Sequence, residues 1–315
     1  MIKIQVLCDL ELVGIVGVLA NSKSTLPRNN DKYRNDIYYF FNDFKNHDAV
    51  KQFKTLENNF SFNFDKPISL MLDYKDDKKP SQLLYNYVGS EAIEKYKDFY
   101  QSLSSFKIIS NFQQFFAEHK PEYKMAVLQF KKNVPIKRCI NFLEKTTNKK
   151  LNKNCIINLM FSLTSANYGW QTTKNYYCNI RPSNKKSNSS VPFFANDKIY
   201  IETLIVHEFG HSIINKITEN FKGIINSINN DIFIKCFENN PYNSDKITAI
   251  NETIIRAIEI LYVKEFYTKN DVINLINDYN ADGFNKIKEI AEIINNNKTT
   301  GIDEYYAKIL NVFNQ

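Results

Sequence analysis

The chain has 315 residues, of which 43% are hydrophobic and 24% are charged. This length can bury a core without disulfides or metals as staples, and 24 Phe and 19 Tyr exclude a largely disordered chain. The five cysteines are odd in number and form no CxxC pair, so a disulfide scaffold and a cysteine-based zinc site are both unsupported, and thiols outside disulfides are predicted. The 42 Asn and 36 Lys against 5 Arg indicate an A/T-rich genome rather than a function.

The net charge of +7 lies in one half of the sequence. Residues 1–150 carry 24 Lys and Arg against 17 Asp and Glu, whereas residues 151–315 carry 17 of each. A basic segment can bind nucleic acid, but Arg, which makes the bidentate contacts to guanine, is scarce, and no nucleic-acid-binding motif is visible. We therefore expect a solvated, lysine-rich face and no nucleic-acid partner.

The N-terminal apolar run is the best candidate in the sequence for a membrane-spanning segment. It extends from Leu10 to Ala20, has 11 residues and includes Glu11, so it is too short to span a bilayer. Asp9 and Glu11 also interrupt what would be the apolar region of a signal peptide. The sequence thus predicts no membrane span. It leaves two localisations open, the cytoplasm or, if a signal was removed before Met1, export.

Hydrophobic periodicity predicts a mostly helical N-terminal half. Residues 2–20 are β-branched at first and then apolar, which favours a strand followed by a short helix. Aromatic residues recur at helical spacing over 34–58, which predicts two helices. The pattern is helical again over 91–143, with breaks at Pro121 and Pro135.

The second half begins with strands and ends with helices. Residues 155–163 and 176–180 predict two strands, joined by a loop through Asn167, Tyr168, Gly169 and Trp170. Amphipathic patterns then predict long helices at 198–222 and 250–267 and shorter ones at 271–279, 284–295 and 302–313. We therefore predict an α+β, mostly helical fold, and the polar stretch 148–154 predicts a boundary between residues 1–150 and 151–315.

The pentapeptide His207-Glu208-Phe209-Gly210-His211 is an HExxH motif. On a helix, positions i and i+4 lie on one face about 6 Å apart, so both imidazoles can bind one Zn²⁺. Glu208 can then reach the open coordination position and take a proton from water there. No charge lies within three residues on either side of the motif, as a buried helix face requires. The alternative is a chance match on an ordinary helix. This alternative is less favoured, because two of the only four His in the chain occupy the motif.

Two His leave zinc short of a third protein ligand. The longer metzincin pattern is excluded, because Ile214 and Ile217 occupy its Gly and third His positions. No His follows His211, and we interpret His47 and His119 as exposed loop residues. A downstream carboxylate is therefore expected. The candidates are Glu219, Asp231, Glu238, Asp245, Glu252, Glu259 and Glu265.

Glu252 is the preferred third ligand. It opens a strongly apolar helix, and Arg256 follows one turn later on the same face, where a guanidinium can orient the carboxylate. The alternative is a carboxylate favoured by the helix dipole and paired only locally with Arg256. Glu259 is the reserve choice. Asn215, four residues after His211, could bond a metal ligand or close a local hydrogen bond.

An HExxH motif followed by a Glu on a second helix resembles the gluzincin type of zinc metallopeptidase. The segments HEFGHSIIN (207–215) and NETIIRA (251–257) are also similar to those of a poorly characterised bacterial family of gluzincin-like proteins, known as a domain of unknown function. ELVGIVGVLA (11–20), NHDAVKQF (46–53) and NYG (167–169) extend this resemblance over most of the chain. The resemblance implies a zinc site of His207, His211 and Glu252, with Glu208 as the base.

The resemblance also implies an architecture and an activity. Residues 151–315 would form a zincin-like catalytic core with a small sheet, and residues 1–150 a helical subdomain. The function would be that of a zinc-dependent hydrolase, a metallopeptidase acting on a peptide or protein substrate. Tyr168, and after it His119, are candidates to stabilise the tetrahedral oxyanion, although a packed aromatic is the favoured interpretation of Tyr168. The alternative to an enzyme is a non-catalytic module that keeps the zincin scaffold and binds a partner protein.

Overall fold

The computed structural model describes residues 1–25, 32–63, 65–164, 166–183, 191–192, 194–195, 197–239 and 245–314. In this part of the chain the fold is α+β and mostly helical, with a small mixed sheet, which confirms the predicted fold class. The chain divides into two compact units. Unit 1 comprises residues 1–133 and 153–196, and unit 2 comprises residues 134–152 and 197–315.

Unit 1 combines eight of the described helices with the sheet. Its elements are β1 (Ile2–Gln5), α1 (Cys8–Leu19), α2 (Lys32–Phe41), α3 (Asp48–Phe60), α4 (Asp65–Asp77), α5 (Gln82–Val88), α6 (Ser90–Ile109), α7 (Phe112–Glu118), α8 (Lys120–Asn133), β2 (Asn154–Leu159), β3 (Tyr168–Gln171) and β4 (Asn175–Ile180), with 3₁₀ turns at Lys23–Thr25 and Asn42–Phe44. The strand and helix predicted for residues 2–20 and the two helices predicted for 34–58 are confirmed.

The sheet has the order β1-β2-β4-β3. β1 runs parallel to β2, with Ile2 opposite Cys155, and β2 runs parallel to β4. The predicted loop through Asn167, Tyr168, Gly169 and Trp170 is wrong, because β3 pairs antiparallel with β4 and Tyr168 lies opposite Asn179. A half-buried edge strand of four residues is too short to show a period of two.

The pairing of β1 with β2 also explains the division of the chain. Residues 2–5 form a ladder with the segment that starts at Asn154, so the strands after residue 153 belong with the N-terminal helices. A single boundary near residue 150 was predicted, and the observed units are instead discontinuous. The sheet accordingly lies in unit 1, whereas the sequence placed it with the HExxH helix.

Helix α1 is the buried centre of unit 1, with every residue from Leu10 to Leu19 in the core. Gly14 is required there, since a Cβ would lie 1.9 Å from Ser162 Oγ. Glu11 is fully buried and accepts hydrogen bonds from the Phe161 N–H at 2.8 Å and the Tyr33 hydroxyl at 2.9 Å. The apolar N-terminal run is therefore a core helix, and no helix in the described ranges combines the length and apolarity needed to cross a membrane.

The described residues of unit 2 form helices joined by turns and short irregular segments, with no strand among them. Its elements are α9 (Ile136–Thr147), α10 (Lys198–Glu219), α11 (Lys222–Ser227), α12 (Ile234–Asn239), α13 (Lys246–Phe266), α14 (Lys269–Ala281), α15 (Ile287–Asn296) and α16 (Tyr306–Asn311), with 3₁₀ turns at Asn230–Phe233, Ile302–Tyr305 and Val312–Asn314. Both long predicted helices are confirmed, as α10 and α13, and these two helices pack against each other. The short helices α11 and α12 were not predicted from the sequence.

None of the five cysteines, all of which the structure describes, takes part in a disulfide. Cys139, Cys155, Cys178 and Cys236 are buried and Cys8 is half-buried. They therefore contribute apolar volume to the two cores rather than covalent links.

Candidate metal centre

Two long helices of unit 2 carry the candidate site. The Asp197 side chain caps the start of α10 and accepts from the Tyr200 N–H, and the Asp245 side chain caps α13 and accepts from the Thr248 N–H. Each cap fixes where its helix begins. Within each helix, the period of 3.6 residues then places side chains four residues apart, such as His207 and His211, on one face.

A buried hydrogen-bond cluster fixes how α10 and α13 meet. The Thr218 hydroxyl near the end of α10 donates to Asn251 Oδ1 near the start of α13, and the Tyr306 hydroxyl bonds the same Thr218 oxygen. All three side chains are buried. Because Asn251 directly precedes Glu252, this cluster also fixes the position of Glu252 along α10.

The three predicted ligands converge. His207 Nε2 and His211 Nε2 lie 3.1 Å apart, and Glu252 places Oε1 3.2 Å from His211 Nε2 and Oε2 3.5 Å from His207 Nε2. Among the described residues, these three side chains form the one cluster of His, Cys, Asp or Glu with metal-binding spacing. Ligand atoms about 2.0–2.1 Å from a tetrahedral zinc lie roughly 3.4 Å from each other, so the observed spacing fits such an ion.

The outer nitrogens of both imidazoles have oxygen partners. His207 Nδ1 lies 2.6 Å from Glu259 Oε1, and His211 Nδ1 lies 3.2 Å from Asn215 Oδ1. Carboxylate and amide oxygens accept hydrogen bonds, so a neutral imidazole at either position carries its proton on Nδ1 and keeps the lone pair on Nε2. Both lone pairs are then available at the point where Glu252 arrives, as in metal-binding histidines whose other ring nitrogen is hydrogen-bonded.

The electrostatics of the cluster favour a cation. Burial alone would raise the pKa of Glu252, but His207 and Arg256, whose Nη1 is 2.8 Å from Glu252 Oε2, hold that pKa well below its ordinary value. Burial alone would lower the pKa of His207, yet Glu252 and Glu259 raise it to about 10. The same carboxylates that stabilise a proton on His207 would stabilise a metal ion between the three side chains.

Glu208, the predicted base, directly follows His207 on α10 and interacts electrostatically with His207 and His211. It is 6% exposed, and burial raises the pKa of its carboxyl above the ordinary value. Glu208 interacts electrostatically with Glu252 and Glu259, and these two carboxyl groups in turn act on one guanidinium, that of Arg256. If the three carboxyl groups and the guanidinium are all ionised, their formal charge is −2, which one divalent cation would balance.

The site is enclosed but reachable. The side chains of His207 and Glu252 are each 14% exposed, and that of His211 is 24% exposed. A fourth coordination position on this side could therefore be taken by water or substrate, which is the arrangement of catalytic rather than structural zinc sites.

The other candidate carboxylates do not join the three ligands. Glu259, the reserve choice, faces the outer nitrogen of His207, and Asp245 caps α13. Glu219 pairs with Lys222 at 3.1 Å and Glu265 with Lys145 at 3.5 Å. Glu252 is thus the carboxylate that the fold brings to both histidines.

The remaining predicted residues lie in unit 1. Tyr168 is in β3, where its carbonyl accepts from Asn179 Nδ2 at 3.0 Å, and its role at an oxyanion stays a prediction. The prediction that His119 is an exposed loop residue is wrong. His119 is 7% exposed, because the aromatic side chains of α7 and α8 enclose it. Its Nδ1 lies 2.9 Å from Phe115 O, and its Nε2 lies 3.2 Å from Asp36 Oδ2.

Sequence reasoning missed two participants. Asn251 was noted only as part of a sequence motif. Its hydrogen bond to Thr218, 33 residues earlier in the chain, depends on how α10 and α13 pack together. Tyr279, which donates to Glu259 Oε2, lies on α14 and has no local signal. Glu259 itself could have been assigned from its spacing, since it follows Glu252 by seven residues and so lies on the same face.

A family model described as Domain of unknown function (DUF4932) matches residues 80–312, which is more than half of the chain. The chain belongs to this family. The predicted resemblance to a family of unknown function is confirmed, and the match includes α10 and α13 with the whole candidate metal centre. The segments 11–20 and 46–53, which the sequence comparison had included, lie outside it. Curated proteins and solved structures gave no match.

Proposed function

We propose that this protein is a zinc-dependent hydrolase, specifically a metallopeptidase that cleaves peptide bonds. The observation that carries the proposal is the convergence of His207 Nε2, His211 Nε2 and the Glu252 carboxylate at the spacing of tetrahedral ligands. Two neutral imidazoles and one carboxylate are a donor set that suits Zn²⁺ and leaves its fourth position open. The choice of a peptide substrate rests on the resemblance of the motif to gluzincins.

The residues of this chain have separate tasks in the proposed reaction. A zinc ion held here would supply a Lewis acid for the substrate carbonyl and would lower the pKa of a coordinated water. Glu208 accepts a proton from the attacking water as the new C–O bond forms. It then gives that proton to the leaving amine nitrogen as the C–N bond breaks. The raised pKa of Glu208 suits both steps, because a group that must accept and then release a proton works best near neutral pH.

Arg256 keeps the third ligand in place during these steps. Its guanidinium bonds Glu252 Oε2, and it lies one helical turn after that residue. The interaction keeps Glu252 ionised and stops its side chain from turning toward solvent.

Metal analysis combined with a Glu208→Gln variant tests the proposal. We expect about one zinc per chain in both proteins. We also expect the variant to hydrolyse a mixed peptide library at least about 100-fold more slowly, the usual contribution of a general base. Glu202→Gln is the matched control, since Glu202 is a buried Glu on the same helix, paired with Arg138 and Tyr262.

Two results would contradict the proposal. A pure protein that takes up no zinc would remove the metal centre, and full activity of the Glu208→Gln variant would remove the base. A zinc-loaded wild type that hydrolyses no peptide would favour the scaffold alternative, in which the protein binds a partner without catalysis.

A further inference from the structure

The outer side of His207 carries a second buried carboxylate. Glu259 is 3% exposed and places Oε1 2.6 Å from His207 Nδ1. It lies on α13, seven residues after Glu252, so the two carboxylates reach the same imidazole from one helix. Glu252 approaches Nε2, on the ligand side, and Glu259 approaches Nδ1, on the opposite side of the ring.

Glu259 is itself held by a tyrosine. The Tyr279 hydroxyl of α14 donates to Glu259 Oε2, so each carboxylate oxygen has its own partner. Burial and the neighbouring Glu259 keep the pKa of Tyr279 far above its ordinary value, so this hydroxyl keeps its proton. A carboxylate fixed at both oxygens cannot rotate away from the imidazole without losing a hydrogen bond.

Arg256 links this arrangement back to the ligands. Its guanidinium carbon lies 5.1 Å from the ring centroid of Tyr279 and 4.4 Å from that of Phe284, while its Nη1 bonds Glu252. One arginine therefore packs on the tyrosine and pairs with the third ligand. A substitution of Tyr279 should therefore affect both Glu259 and the pairing of Arg256 with Glu252.

We propose that Glu259 and Tyr279 are positioning residues that fix the tautomer and ring orientation of His207 and thereby set the zinc affinity of the site. This inference rests on the proposed function and adds to it a three-member chain, Tyr279–Glu259–His207. Neither residue touches the reacting atoms. They act through His207, because a hydrogen-bonded carboxylate makes the imidazole a better donor and holds its free nitrogen toward the metal.

The same unit contains a matched pair with no histidine. The Tyr262 hydroxyl donates to the buried Glu202 at 2.6 Å and joins α13 to α10, whereas the Tyr279–Glu259 bond joins α14 to α13. This pair has the chemistry of Tyr279 and Glu259 but bonds Arg138 instead of a metal ligand. It allows a loss of buried hydrogen bonding to be measured separately from a loss of positioning.

The test is zinc affinity by competition with a chromophoric chelator, at fixed pH. The variants are Glu259→Gln, Glu259→Leu and Tyr279→Phe, with Glu202→Gln and Tyr262→Phe as controls. We expect Glu259→Leu to weaken zinc binding by about 10–100-fold, and Glu259→Gln and Tyr279→Phe to lie toward the lower end of that range. The controls should lose stability in urea but keep the wild-type zinc affinity.

A spectroscopic readout accompanies the affinity. In the zinc-loaded wild type, the His207 Nδ1 proton should give a far-downfield NMR resonance, because its acceptor is a buried carboxylate. The resonance should move upfield in Glu259→Gln, change position in Tyr279→Phe and stay in place in Tyr262→Phe. A role limited to helix packing would not move it.

The outcomes separate this inference from the proposed function. A wild type that binds no zinc would refute the proposed function itself. Wild-type zinc affinity in the folded Glu259 and Tyr279 variants would overturn the positioning role alone. An equal loss of affinity in the Glu202 and Tyr262 controls would also overturn it, since the effect would then follow general destabilisation.

Discussion

Glu11 makes the stability of unit 1 depend on pH in a direction that can be worked out. Burial raises the pKa of its carboxyl from 4.5 to about 7, although the hydrogen bonds from Phe161 and Tyr33 oppose the shift. The native state therefore holds a proton more tightly than the unfolded chain between these values. The free energy of unfolding must fall as pH rises through this window. The full shift corresponds to roughly 3 kcal/mol, at 1.36 kcal/mol per pKa unit.

Glu11→Gln removes this dependence while keeping the shape. The Gln oxygen can accept from the Phe161 N–H, and its amide can donate to Tyr33 if that hydroxyl bonds Tyr123, 2.6 Å away. Urea unfolding at pH 5 and pH 8 measures the effect. Part of the pH-dependent loss of stability occurs below pH 5. The free energy of unfolding of the variant, relative to that of the wild type, should therefore be about 2 kcal/mol higher at pH 8 than at pH 5.

A surface substitution serves as the control for Glu11. Glu91→Gln, at an exposed position of α6, should leave the pH profile of unfolding unchanged. If wild type and Glu11→Gln differ by the same free energy at pH 5 and pH 8, Glu11 does not titrate in this window, and the reasoning from burial is refuted.

Three further predictions concern packing and metal. Gly14→Ala should lower the free energy of unfolding by about 1–3 kcal/mol, because the new Cβ would lie 1.9 Å from Ser162 Oγ. In the control Gly223→Ala the new Cβ meets nothing within 4 Å, so the free energy of unfolding should not fall in this way. Equal urea midpoints for the two variants would contradict this prediction. Asn251→Ala removes one acceptor of the buried Thr218 hydroxyl and leaves the Ile214 carbonyl as another, so it should cost about 1 kcal/mol in thermal unfolding, and no change in Tm would show that the bond is dispensable. Chelation should lower the Tm of the zinc-loaded wild type but not that of His211→Ala. The reason is that a metal raises the Tm only when it binds the native protein. An equal fall in Tm of both proteins would place the metal elsewhere.

The sequence was informative where chemistry depends on local spacing. The i, i+4 spacing of His207 and His211 on an apolar helix was enough to place both imidazoles on one face. The absence of later histidines, together with Arg256 one turn after Glu252, favoured the carboxylate that the structure brings to both rings. These relations hold within one helix or between two helices with clear periodicity.

The sequence failed where geometry depends on contacts between distant segments. The strand Tyr168–Gln171 exists because β4 provides its ladder partner, which no local pattern reveals. His119 is buried by side chains of its own unit, including Phe115 and Tyr33, and isolated polar residues give no sign of such surroundings. Tyr279 reaches Glu259 from another helix, so its part in the site follows from tertiary packing alone.

The central claim is that His207, His211 and Glu252 bind one zinc ion. Anomalous diffraction at the zinc absorption edge, from crystals of the zinc-loaded protein, tests it most directly. The account predicts a single strong peak about 2 Å from His207 Nε2, from His211 Nε2 and from a Glu252 carboxylate oxygen. A loaded protein with no peak there, or with zinc held by other side chains, would contradict it.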